Sequence, residues 1–141
     1  MAIPFPSEEW TAAFAKAVNE NAGYREAGKD WTHGPVAMVI EKDPSLDLED
    51  DVGMILDVHQ GQCRGARYVT GMAAASEAPF VIVAKYDRWK DVIQGQLDPT
   101  KAMMQGKLKL VKGNLPVMIK YVQASNALVH SATKVPTEFI D

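Results

Sequence analysis

The spacing of apolar residues switches between helical and strand-like periods along this chain, and most switches fall at a cap or turn residue. Ser7, with Glu8 and Glu9 after it, opens a helix in which Trp10, Ala13, Phe14, Ala17 and Val18 recur at helical spacing, a stripe suited to packing on a sheet. Residues 21–23 break it, and residues 24–30 form a short second helix that delivers Trp31; Trp10 and Trp31 read as large buried surfaces at the core edge. Residues 35–41 are almost continuously apolar, as in a strand covered on both faces. Val52, Met54, Leu56 and Val58 then alternate with other residues, and Gln60-Gly61 turns the chain into residues 63–70, a hairpin. Residues 71–78 are small, a loop or one helical turn, before the buried strand 80–84. Asp87 is read as the cap of a helix with Trp89, Val92 and Ile93 on one face, ended by Gly95.

The stretch from Asp98 to Val122 is the most structured in pattern. Asp98 caps, Pro99 suits the first helical position, and Gly106 ends a short helix in the left-handed conformation. Residues 107–112 alternate basic and apolar, as in a half-buried strand. Gly113-Asn114 opens a last helix whose Leu115, Met118, Ile119 and Val122 share a face. The elements predict one α+β domain over residues 1–141, with a five-stranded mixed, mostly antiparallel sheet covered by about five helices. The tail beyond Ser131, with Pro136 and the Phe139-Ile140 pair, is open between a frayed end and a plug folded over apolar surface.

Charge narrows the function classes. A net charge of -3 over 141 residues gives no global reason to expect nucleic acid. The acidic loop 42–51 lacks the spacing of a calcium loop, and no His/acid set has metal-ligand spacing, so neither metal nor cofactor is expected. Gly61, Gly65 and Gly71 make no phosphate-binding motif. The single cysteine, Cys63, excludes an intrachain disulfide, and the start of the sequence has neither a basic region nor a long apolar run, so a cytoplasmic setting is expected. Locally the balance differs: eight basic residues stand against three acidic ones between Lys85 and Lys120.

Three kinds of chemistry follow. The first is apolar: Trp89, Val92, Ile93, Met103, Met104, Met118 and Ile119 all need an apolar neighbour, and seven methionines supply adaptable side chains. Periodicity alone describes helix faces packed on each other, a close-packed core. The second is electrostatic: Lys107, Lys109 and Lys112 are candidates to attract an anionic head group, or an anionic membrane surface during loading, and the alternative is a solvated strand face. The third is catalytic: Asp57 and His59 lie two apart on one strand face and form an orienter-base candidate, with Tyr86 as a further acid or base and His33 and Cys63 as outlying candidates. No nucleophile motif accompanies them.

The leading W-K-D-V-I-Q-G-Q-L-D-P and the core A-M-M-x-G-K-L-K-L-x-x-G-N-L resemble the sterol carrier protein-2 family of small lipid-binding domains, most strongly over residues 80–129. Asn114 stands where an acidic residue often follows the turn glycine, and Met103-Met104 where an aromatic is frequent, which bears on the ligand more than on the fold. The C-terminal Phe139-Ile140-Asp141 lacks the peroxisomal address some members carry. The resemblance implies an apolar tunnel between sheet and C-terminal helices that takes sterols, fatty acids, fatty acyl-CoA or phospholipids. Its wall would draw on Trp89, Val92, Ile93, Leu97, Met103, Met104, Leu108, Leu110, Leu115, Met118, Ile119 and Val122. Binding and carrying of a hydrophobic ligand is the reading this supports. An enzyme or accessory subunit working on a hydrophobic substrate in that pocket, and a protein-interaction module, are the alternatives.

Overall fold

The computed structural model describes residues 2–140. In chain order the elements are β1 (Ile3–Pro4), α1 (Glu8–Asn19), α2 (Ala22–Ala27), β2 (Val36–Ile40), β3 (Val52–His59), β4 (Gln62–Thr70), α3 (Met72–Ala75), β5 (Phe80–Ala84), α4 (Tyr86–Ile93), α5 (Pro99–Met104), β6 (Lys109–Lys112), α6 (Leu115–Lys120), α7 (Val122–His130) and β7 (Thr137–Glu138). Five strands form one sheet in the order β4-β3-β2-β5-β6. Within it only β2 and β5 run parallel, with Val36 opposite Phe80 and Ile40 opposite Ala84; the other pairs are antiparallel. This is the mixed α+β sheet that the alternating patterns predict.

Local chemistry sets most boundaries. Ser7, Asn21, Asp98 and Asn114 each accept a backbone N–H with their side chains at the start of a helix, filling donors that would otherwise lack a partner. The β3–β4 turn puts both Gln60 and Gly61 at positive φ, as a tight hairpin turn requires. A Cβ on Gly61 would collide with the Arg25 carbonyl oxygen, so this turn also seats the end of α2.

Four expectations are corrected or completed. The cap of α4 is Lys85, while Asp87 sits inside the first turn, where the helix dipole favours its charge. The small-residue stretch after β4 contains one helical turn, α3. The last helix breaks at Tyr121 into α6 and α7, giving seven α-helices among the described residues. The tail is neither frayed nor loose: β7 pairs in parallel with β1, Phe139 meets Phe5 edge-on, and the Ile140 N–H donates to the Tyr86 hydroxyl at 2.7 Å.

The two faces of the sheet are covered unequally. One carries Val36, Met38, Ile40, Met54, Leu56, Phe80 and Ile82 into a large core shared with α1, α2, α4, α5, α6 and α7. The other carries Ala37, Val39, Ile55, Val81 and Val83 into a small core closed by Ala75 and Ala78 in and beside α3. Burying a side chain such as Leu or Ile contributes about 1.5–3 kcal/mol, so the first face supplies most of the stabilisation.

Candidate functional site

A cavity opens inside the larger core. Its floor is Val36, Met38, Val58 and Ile82 from the sheet; its walls are Tyr24 of α2, Trp31, Trp89 of α4, Pro99 and Met103 of α5, and Leu108; its roof is Met118 of α6, Tyr121, and Ala124, Ser125, Leu128 and Val129 of α7. The centres of water-sized spheres can occupy about 40 Å³ of it, space for a few waters. A second, smaller void of about 10 Å³ lies beyond Met38, Trp89 and Val129, which line both, and reaches Phe5, Trp10, Phe14, Val92 and Ile93. The two together trace an elongated apolar space from the Tyr121 side toward the N-terminal helix.

Among the described residues no charged side chain lines the cavity. Its indole N–H groups are committed elsewhere: Trp89 donates to the Val39 carbonyl at 2.8 Å and Trp31 to the Gly34 carbonyl at 2.9 Å. What polarity remains is hydroxyl. The Tyr121 hydroxyl donates to the Asp30 carbonyl at 3.2 Å, Ser125 carries a hydroxyl, and the Tyr24 phenol is pushed up to about 12, first by burial and then by the neighbouring Cys63. The raised Tyr24 phenol thus keeps its proton at neutral pH. The arrangement holds apolar matter, with a few hydroxyls to orient it.

The family model described as SCP-2 sterol transfer family matches residues 14–125. The chain belongs to this family. A crystal structure of sterol carrier protein 2 superposes at a TM-score of 0.85 with 38% identity, covering 92% of this chain and 97% of that one. A conserved hypothetical protein from Thermus thermophilus, described as a possible sterol carrier protein, gives a TM-score of 0.85 and 37% identity over 94% of this chain and 90% of that one. A ubiquinone synthesis protein of the UbiJ-SCP2 type shares the fold at a TM-score of 0.51 and 16% identity, covering 96% of this chain and 99% of that chain. No significant match is found among curated protein sequences.

Within this SCP-2 fold the apolar candidates divide into three groups. Trp89, Met103, Leu108 and Met118 line the cavity, and Val92 and Ile93 line the adjoining void. Leu97 and Leu110 pack against the same core without lining it, and Val122 is half-buried at the start of α7. Met104, Leu115 and Ile119 point outward, exposed at 62%, 36% and 43%. The reason is geometric. On the six-residue α6 it is Met118, with the partly buried Val117 beside it, that turns to the core, while Leu115 and Ile119 are left at the surface.

The lysine candidates separate as well. Lys109 pairs opposite Val83 and Lys112 opposite Val81, so both stand on the sheet face turned away from the cavity. Lys112 there donates to the Ser76 carbonyl at 2.7 Å. Lys107, exposed between α5 and β6, is the one of the three beside the cavity wall, next to Leu108.

Asp57 and His59 alternate with Leu56 and Val58 and so also face away from the cavity; Asp57 takes an ion pair from Arg64 at 3.1 Å. Tyr86 is buried under the docked tail and accepts the Ile140 N–H. His33 packs edge-on against Trp31 and Tyr121 at the surface, and burial pushes the Cys63 thiol up, away from thiolate reactivity. Asp57 and Cys63 lie beside each other in the β3–β4 hairpin, but the five do not converge on one site. Residues missing from the sequence-based wall are chiefly those of α2, the sheet floor and α7. A signal for α7 was present: Tyr121, Ala124, Ser125 and Leu128 recur at i, i+3, i+4 and i+7.

Proposed function

We propose that this SCP-2 family member binds and carries an aliphatic lipid, with the acyl chain of a fatty acid or fatty acyl-CoA in the apolar cavity and any charged head group at its mouth. One observation carries the reading: a cavity walled from both halves of the chain has no charged side chain among its described lining residues, and both of its indole N–H groups are bonded to backbone carbonyls. A buried carboxylate or phosphate there would lack a counter-charge and lose its hydration, whereas each methylene transferred gains about 0.8 kcal/mol. The space of about 40 Å³ is too small for a long chain as it stands, so binding requires the roof to move. The thinnest part of that roof is α6, which buries only Met118 and is separated from α7 by the break at Tyr121.

The direct experiment is solvent extraction of natively purified protein with mass spectrometry of what is released, joined to titration with a fluorescent fatty acid. A stoichiometric lipid, and an Ala124→Phe variant that folds but binds the probe at least about tenfold more weakly, support the reading. A protein that carries no lipid and takes up no fatty acid overturns it in favour of a protein-interaction module.

A further inference from the structure

The apolar cavity has a polar neighbour. A groove of about 410 Å³ runs between the loop after α4 and the C-terminal half of α7, and it shares Pro99 and Val129 with the cavity and Val92 and Val129 with the smaller void. Single side chains therefore divide the three spaces. Where the cavity offers hydrocarbon, the groove offers Gln96, Asp98, Asn126, His130 and Thr133, and no lysine or arginine is among its described lining residues.

Hydrogen bonding fixes what these groups present. Asp98 accepts the Thr100 and Lys101 backbone N–H groups with Oδ1, at 2.9 and 3.1 Å, and the Asn126 Nδ2 with Oδ2 at 3.4 Å. Reversing the Asn126 amide would set its oxygen against that carboxylate, so the carbonyl Oδ1 is the end left over, and it is buried without a partner. Thr100, 5% exposed and next to the shared Pro99, has a hydroxyl oxygen in the same condition. The Thr133 hydroxyl donates to the His130 carbonyl at 2.6 Å, which leaves its oxygen free to accept. A buried oxygen without a donor is costly, and one held beside a carboxylate favours an O–H over a second anion.

We infer that this groove is a head-group compartment for the cavity, and that it takes an uncharged, hydroxyl-bearing head group such as the glycerol of a monoacylglycerol. The inference rests on the lipid-carrying reading and extends it to acylglycerols. The acyl chain occupies the cavity, the ester lies at the wall formed by Pro99 and Val129, and the glycerol hydroxyls donate to Asn126 Oδ1 and Thr133 Oγ1 while the Gln96 amide donates to them. Access to Asn126 Oδ1 requires α5 and α7 to part slightly, the movement that also opens the wall between groove and cavity. A free fatty acid brings its carboxylate to Asp98 with no lysine or arginine among the described lining residues to offset it, so the groove ranks acylglycerol above fatty acid.

The test is displacement of a fluorescent fatty acid from the intact protein by 1-palmitoylglycerol and by palmitate, each below its aggregation threshold. The acylglycerol should displace the probe at a concentration about tenfold lower than palmitate. Asn126→Leu, and separately Gln96→Leu at an exposed position, should shrink that ratio toward unity, whereas Lys112→Gln on the opposite sheet face should keep it. Equal displacement, a preference for palmitate, or a preference that both groove variants retain overturns the compartment; if Asn126→Leu fails to fold, Gln96→Leu decides alone. Probe uptake without preference for the acylglycerol removes the compartment and leaves the lipid-carrying reading standing. A protein that takes up neither the probe nor 1-palmitoylglycerol, the latter read by solvent extraction, removes both.

Discussion

The two faces of the central sheet solve the same burial problem with opposite side-chain sizes. On the face under α3, Gly53, Ala37, Ala75 and Ala78 meet so closely that a Cβ on Gly53 would lie 3.2 Å from the Ala75 Cβ and 3.4 Å from a Val69 methyl. On the other face, Trp31, Trp89, Met38, Met103 and Met118 come from five separate segments, and such large or flexible side chains leave an irregular space between them. Small residues from adjacent strands close a layer; large ones from scattered elements leave a cavity. The proposed lipid binding therefore draws on the thicker and more heavily covered face.

The sharpest way to break this contrast is to add volume on each side. Gly53→Leu should cost about 3 kcal/mol in urea or thermal unfolding, because strand and α3 backbones must part to admit it. Ala124→Leu, entering the cavity, should cost less than about 1 kcal/mol, since space already exists there. Equal costs would mean that the cavity side is as tightly packed as the other.

Titration offers the next largest effect and acts on the cavity side alone. The Tyr24 phenol ionises near 10.0 in the unfolded chain and at about 12 when folded, chiefly through burial. The folded state therefore holds its proton more tightly: the contribution is complete below pH 10 and is lost as pH rises toward 12. On the order of 2 kcal/mol should disappear across that window, measured by urea unfolding, and Tyr24→Phe should reduce the loss, leaving the part that comes from the Tyr68 phenol and the Cys63 thiol, which burial also raises.

Much of the architecture was legible because each face imposes its own period. The alternation through β3 and β6, the continuous apolar runs of β2 and β5, and the Asp98 and Asn114 caps all survive in the structure. The break at Tyr121 was not legible, because Leu115, Met118, Ile119 and Val122 keep helical spacing straight through it. Nor was the docking of the tail, which depends on the distant Phe5 and Tyr86. The lysines teach a narrower lesson. If Leu108 and Leu110 face the cavity, period 2 already turns Lys109 to the other side, so charge composition pointed to the right segment while periodicity held the right faces.

A smaller effect tests the boundary between the faces. Trp89 belongs to the cavity wall, yet its indole N–H reaches the backbone of β2 at Val39. Trp89→Phe keeps most of the apolar volume but leaves that buried carbonyl without this donor, which should cost about 1–2 kcal/mol in unfolding measurements. A loss below that range would mean the carbonyl finds another partner.

The smallest effect is expected on the thin face. Lys112 spans from the edge strand to the Ser76 carbonyl at 2.7 Å, and Arg67 approaches Glu77 at 3.9 Å, both in exposed positions. Solvent competes with such contacts, so Lys112→Gln should change stability by no more than about 0.5 kcal/mol. Because its side chain lies across the sheet from the cavity, fatty-acid affinity should be unaltered as well. A substantial loss of affinity in Lys112→Gln would mean that the two faces communicate through β6, and the division of labour drawn between them would fail at its edge strand.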